Sequence, residues 1–351
     1  MKKIRACLVG ISGYAGMELA RLLASHPSIE LSMACSRAEA GRRLGQFYPF
    51  LDGLPGSDVE ISVYEPDRAA AGADMAFLAV PAGTALDMVP ALMERGLKVV
   101  DFSADFRLRD AATYSEWYGR EHSLPDILSK AVYGLPELYE KKLENAQLVA
   151  NPGCYPTACI LGLHAALAHD LIDPHTILID AKSGASGAGR KASVPTLFCE
   201  ISDNFRAYGV PRHRHTPEIE QELSRISGRA LTVTFTPHIV PMKRGILATI
   251  YASLRDPRQS VSEIRDIYKK SWEGHPWIRV LDDGQLPETA SVRGSMFCDM
   301  AVCKDERTGR LIILSAIDNL CRGAAGQALA SANLMNGMPM NTGMQFLSPM
   351  P

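Results

Sequence analysis

The chain has 351 residues, 46% of them hydrophobic and 22% charged, with a formal net charge of −2. That balance argues against nucleic acid or a charged membrane surface as a partner, and no run approaches the ~18 uncharged apolar residues of a membrane-spanning helix. The length suits two domains with separate cores, and the eight cysteines, scattered without a CxxC pair, read as reduced thiols of a cytoplasmic protein with no metal site.

The basic start, "MKKIRACLVG", is too briefly apolar for a signal peptide and reads as a first strand. "ISGYAGMELARLLASHP" follows with helical periodicity, and "IELSMACS" is the next strand, so the opening unit is β-α-β. Gly10, Gly13 and Gly16 fall in a GxxGxxG spacing across the strand–helix turn. Glycine suits that turn because the backbone must approach a pyrophosphate closely while the helix N-terminus offers N–H groups to it. The second strand ends "ACSRAEAGRR". Ser36 and Arg37 stand where an acid would meet a ribose 2′-hydroxyl, which favours NADP(H) over NAD; the alternative is that Arg37, Arg42 and Arg43 form a solvated loop face. Strands at 76–80 and 97–102 continue the alternation, and the loops "VPAG" and "DFSADFR" at their carboxyl ends are expected to face the ligand crevice.

The expected fold class is therefore α/β. A Rossmann-type doubly wound parallel sheet spans residues 1–150. "LTVTFTPHIVPMKRGILATIYASL" and "RLIILSAID" are the clearest strands of the second domain.

In "LVANPGCYPTACILGLHAAL" a Gly-Pro corner precedes an apolar helix. Cys154 sits at that helix start, where free N–H groups and the dipole favour a thiolate nucleophile; the alternative, buried packing, suits Cys159 better. "RHRHTPEI" supplies two loop histidines, His213 and His215, either of which can serve as acid/base. The spacing alone does not bring them to Cys154. "DAKSGASGAGR" reads as a flexible, cationic anion-binding loop without the order of a nucleotide-triphosphate loop.

In this order, "GISGYAGMELARLL", "VDFSADFRL", "VYGLPEL", "NPGCYPTA", "DAKSGASGAGR", "HRHTPEI", "PHIVPMKRGI" and "IDNLCRGAAGQA" resemble the N-acetyl-gamma-glutamyl-phosphate reductases of arginine biosynthesis, over essentially the whole chain. The chain is more distantly similar to aspartate-semialdehyde dehydrogenases. The resemblance implies an NADPH-dependent reduction of an acyl phosphate through a thioester on Cys154. It implies His215 as acid/base, with His213 the alternative and Glu218 orienting whichever acts or contacting substrate. It extends the cofactor contacts to Ser12, Tyr14, Ala15, Pro81, Ser103, Ser183, Gly184 and Asn319. Arg107, Asn151, Lys182 and Arg190 become candidates for the substrate and its phosphate, and Arg244 for its carboxylate. It also implies a second, catalytic and oligomerising α+β domain with a mixed sheet over 151–318, a C-terminal helix, within 319–351, that completes the first domain, and a homo-oligomer, dimer or tetramer. The rivals are reduction of aminoadipyl or aspartyl phosphate and a non-catalytic NADP-sensing module.

Overall fold

The computed structural model describes residues 2–345, 347 and 348. The chain divides into two compact units. The first holds the residues up to 152, together with 189–191 and 324–345; the second holds 153–188 and 192–323.

The first unit is built on a seven-stranded sheet in the order β3-β2-β1-β4-β5-β7-β6, with every pairing parallel. Its strands are β1 (Ile4–Val9), β2 (Ile29–Cys35), β3 (Ile61–Ser62), β4 (Met75–Leu78), β5 (Lys98–Asp101), β6 (Val132–Tyr133) and β7 (Leu148–Ala150). A central parallel strand is covered on both faces, which is why β4 and the buried part of β1, from Ala6 to Val9, are apolar runs without alternation. Helices α1 (Tyr14–Ala24) and α2 (Ala85–Glu94) follow β1 and β4, and Val89 and Leu92 of α2 join Val9, Leu78, Val99 and Leu148 in one core. The C-terminal helix Gly326–Met335 is buried along its whole length and belongs to this unit.

The second unit carries a mixed sheet in the order β12-β13-β14-β11-β8-β10-β9. Its strands are β8 (Leu178–Gly184), β9 (Arg206–Ala207), β10 (Thr234–Val240), β11 (Ile246–Ser253), β12 (Ile278–Val280), β13 (Cys298–Asp305) and β14 (Arg310–Ile317). Helix α3 (Cys154–Ala168) is apolar nearly all round and correspondingly buried. Pro156 is tolerated in its first turn because that N–H has no intrahelical partner to lose. Helix α4 (Thr216–Ser227) packs along α3 and ends on Gly228 at φ 70°.

One sequence expectation is corrected here. Lys182, Ser183 and Gly184 are not loop residues: β8 continues through them, paired with β10 on one side and β11 on the other. The reason is alternation. Ile179, Ala181 and Ser183 are buried, whereas Asp180 and Lys182 are half-buried on the opposite face. The turn begins only at Ala185.

Candidate active site

The turn after β1 is shaped for close backbone approach. Gly10 has φ +90°, and a Cβ there would stand 2.2 Å from the carbonyl oxygen of Ala79; one on Gly16 would stand 2.3 Å from that of Gly10. Gly13 is the N-cap of α1, which has neither a side-chain cap nor an acidic residue in its first turn. The first N–H groups and the positive dipole end are thus left for an anion, and Ser12, Tyr14 and Ala15 line the turn half-exposed. These features fit a dinucleotide's pyrophosphate, with Gly10, Gly13 and Gly16 forming its cradle.

At the end of β2, Ser36 Oγ donates to Ser12 Oγ at 3.3 Å. Of the three arginines that follow, Arg42 is paired with Glu39 at 2.7 Å and Arg43 with Asp58. Arg37 is exposed and has no ion-pair partner among the described residues. Arg190 also belongs to this unit, away from the phosphate-loop role expected for it. Its Nη1 donates to the carbonyl of Ser12 at 3.1 Å and to Tyr48 Oη at 3.0 Å, and its guanidinium lies over the rings of Phe47 and Tyr48.

The two crest loops of the first unit are fastened to each other. Buried Asp105 accepts from the N–H groups of Gly83 and Ala85 and from Tyr114 Oη, so the "DFSADFR" loop holds the "VPAG" loop and its exposed Pro81. Ser103 is spent inside its own loop, donating to Asp101 Oδ2 at 2.7 Å, and burial pushes the Asp101 carboxyl up to about 7. Arg107 donates to the carbonyls of Asn151 and Phe102, and the Asn151 amide reaches Ala324.

In the second unit Cys154 is the first residue of α3, half-buried, with Gly153 as N-cap and no side-chain cap. The helix N-terminus stabilises negative charge on sulfur. Cys159, one turn on, is fully buried, and burial raises its thiol well above the ordinary range. The histidine loop lies at this same corner. Tyr155, adjacent to the nucleophile, meets the rings of His213 and His215 at centroid distances of 5.7 and 6.0 Å. Buried Glu218 accepts the Gly153 N–H at 2.8 Å.

The two histidines differ in environment. His213 Nδ1 accepts the backbone N–H of His215 at 3.1 Å, which leaves its neutral ring protonated on Nε2. Its ring is boxed by Tyr155, Tyr208 and Phe235, and burial, assisted by Arg214, lowers it to about 4. His215 is the half-buried N-cap of α4.

The expected anion loop is corrected further. The N–H groups of Gly184, Ala185 and Ser186 donate to the carbonyls of Gly245, Met242 and Lys243, so they are not available to a phosphate. Lys182 is paired with Asp180 at 2.9 Å. Buried Asn319 ties this turn down, accepting from Gly245 N–H at 2.7 Å and donating to Ser186 Oγ at 2.9 Å. Ser183 is buried. Arg244 pairs side-on with buried Asp318 at 2.9 and 2.8 Å.

Sequence reasoning missed Asp318. Its carboxyl also accepts from the N–H groups of Gly294, Leu320 and Cys321, and its backbone carbonyl accepts from Gly323. Gly323 in turn packs against Cys154, where a Cβ would stand 2.8 Å from the cysteine's. The signal was its place beside Asn319 in "IDNLCRG".

Two family models match, "Semialdehyde dehydrogenase, NAD binding domain" over residues 5–146 and "Semialdehyde dehydrogenase, dimerisation domain" over residues 154–319. N-acetyl-gamma-glutamyl-phosphate reductase of Geobacter metallireducens is 50% identical over 349 residues, covering 99% of this chain and all of the relative. The chain belongs to the N-acetyl-gamma-glutamyl-phosphate reductase family. The Geotalea daltonii member is 48% identical over 351 residues, again covering 99% of this chain and all of the relative. The fold is shared with aspartate semialdehyde dehydrogenase II of Vibrio cholerae, at TM-score 0.72 and 16% identity over 96% of this chain and 99% of that one. The enzyme from Candida albicans, solved with NADP, gives TM-score 0.71 and 17% identity over 95% and 99%. Membership makes this chain an oxidoreductase that uses a nicotinamide dinucleotide and acts on a small molecule. Among the described residues no helix is long and apolar enough to cross a membrane.

Proposed function

We propose that the chain reduces N-acetyl-L-glutamate 5-phosphate to N-acetyl-L-glutamate 5-semialdehyde with NADPH, through a thioester on Cys154, as a step of arginine biosynthesis. The observation that carries this reading is a half-buried cysteine at the first position of α3 with a histidine loop packed on its neighbour Tyr155.

His215 takes the thiol proton, and Cys154 Sγ attacks the acyl carbon of the acyl phosphate. The carbon–oxygen bond to phosphate breaks, and phosphate leaves with its electron pair. The dinucleotide, when held on the Gly10–Gly16 turn, would supply the hydride that reduces the acyl carbon. His215 protonates the oxygen of the adduct held on sulfur, then takes that proton back as the carbon–sulfur bond breaks and the aldehyde departs. We assign this role to His215 because His213 has its Nδ1 occupied and its ring held neutral by burial.

For the cofactor, the unpaired Arg37 beside Ser36 supports NADP(H) over NAD, with Gly10, Ser12, Gly13, Tyr14, Ala15 and Gly16 around the pyrophosphate. For the substrate, Arg244 is the candidate for its carboxylate, pre-oriented by Asp318. The free thiols support a reducing, cytoplasmic setting. Exposed Val194, Leu197, Phe198 and Phe205 of the second unit support a homo-oligomer.

The test is an assay with N-acetyl-glutamate semialdehyde, NADP⁺ and phosphate or arsenate. NADPH is expected only when all three are present. Turnover independent of the anion, or preferring aspartate or aminoadipate semialdehyde, would contradict the assignment.

A further inference from the structure

We propose that Glu218 is a positioning residue whose carboxyl group ties the helix carrying the nucleophile to the helix carrying the acid/base. This rests on the thioester reading above. Glu218 is the third residue of α4, where a glutamate ordinarily reaches back to the N–H of its own N-cap. Here that N-cap is His215, and its N–H is taken by His213 Nδ1 at 3.1 Å. Glu218 Oε1 instead crosses to α3 and accepts the N–H of Gly153, the N-cap immediately before Cys154, at 2.8 Å.

Gly153 is held from its other side too. Its carbonyl accepts from the N–H and the Oγ of Thr157, both at 3.0 Å. The residue preceding the nucleophile is therefore pinned at donor and acceptor, and its donor bond belongs to the helix that begins at His215. At 1% exposure Glu218 is shielded from substrate, so it acts through Gly153 rather than as a substrate contact. A displacement of ~1 Å between reacting groups costs on the order of a hundredfold in rate, which gives the bond its kinetic weight.

The experiment compares Glu218→Gln, Glu218→Ala and Glu218→Asp in the full chain. Gln keeps an oxygen acceptor of the same reach, Ala has none, and Asp is one methylene short. Gln is expected to keep kcat within about tenfold, while Ala and Asp lose about a hundredfold in kcat with KM for the acyl substrate changed less than about threefold. Hydrogen exchange of the peptide spanning 148–157 is expected to stay protected in wild type and Gln and to lose protection in Ala and Asp. Three results would overturn the proposal: folded Ala and Asp variants with wild-type kcat, a raised KM at constant kcat, or a Gln variant as slow as Ala. Wild-type protein without turnover would overturn the thioester reading instead, and the exchange pattern would still decide whether Glu218 holds the corner.

Discussion

Gly323 lies so close to Cys154 that a Cβ added to it would stand 2.8 Å from the cysteine Cβ and 3.1 Å from its Cα. The neighbour is the first turn of a buried helix, so neither side can give way cheaply. Gly323→Ala is therefore expected to displace the nucleophile and lower kcat by ~10–100-fold while leaving NADPH affinity, a property of the first unit, unchanged. Parallel turnover and NADPH-fluorescence titrations check this; an unchanged kcat would show that the corner tolerates the methyl group.

Arg37→Ala removes the unpaired cation at the end of β2. Loss of a charge-assisted contact to a 2′-phosphate is worth ~1.5–3 kcal/mol, so KM for NADPH is expected to rise ~10–100-fold with NADH barely affected. Arg42→Ala, which breaks only an exposed pair with Glu39, is expected to change neither. The two cofactors titrated against each variant give the comparison.

His215→Asn is expected to cost on the order of 10²–10⁴ in kcat. His213→Asn is expected to act less on rate than on stability, because His213 is a half-buried acceptor in an aromatic box. Steady-state rates and urea midpoints of the two variants distinguish the roles, and a reversed pattern would exchange them.

His213 also gives stability a pH dependence of defined sign. Its folded value, about 4, lies below the ordinary histidine value, so the unfolded chain binds the extra proton between the two. Its contribution is complete above about pH 6.5 and is lost as pH falls towards 4, by on the order of 2–3 kcal/mol. Asp101, raised by burial to about 7, works in the opposite sense throughout that window. The measurement is therefore a difference: the urea midpoint of wild type is expected to fall more steeply from pH 7 to pH 5 than that of His213→Asn. Parallel curves would contradict the assignment.

Much of this was legible in the sequence because the signals were local. The glycine spacing around Gly10 and Gly16 reports a turn in which a Cβ would collide with backbone. The Gly-Pro corner before an apolar run reports Cys154 at a helix start. What sequence could not supply was partnership across distance. The "SGASG" stretch has the composition of an open anion loop, yet its N–H groups find carbonyls about sixty residues on, in 242–245. Arg190 follows directly, and its partners are Ser12 and Tyr48. Nothing in the spacing of "HRHTPEI" separates the two histidines; the difference is the aromatic box around His213, assembled from Tyr155, Tyr208 and Phe235. Asp318 has no sequence mark beyond its place beside Asn319, because the partners that set its role, Arg244 and Gly294, lie 74 and 24 residues away.

The central claim is the covalent acyl group on Cys154, and it is tested most directly in a single turnover without phosphate. N-acetyl-glutamate semialdehyde and NADP⁺ mixed with the protein are expected to give one equivalent of NADPH per chain and then stop. Mass spectrometry is expected to find the acyl increment on the peptide containing Cys154, with neither burst nor increment in Cys154→Ser. A burst that persists in Cys154→Ser, or an acyl group carried on any other residue, would contradict the account.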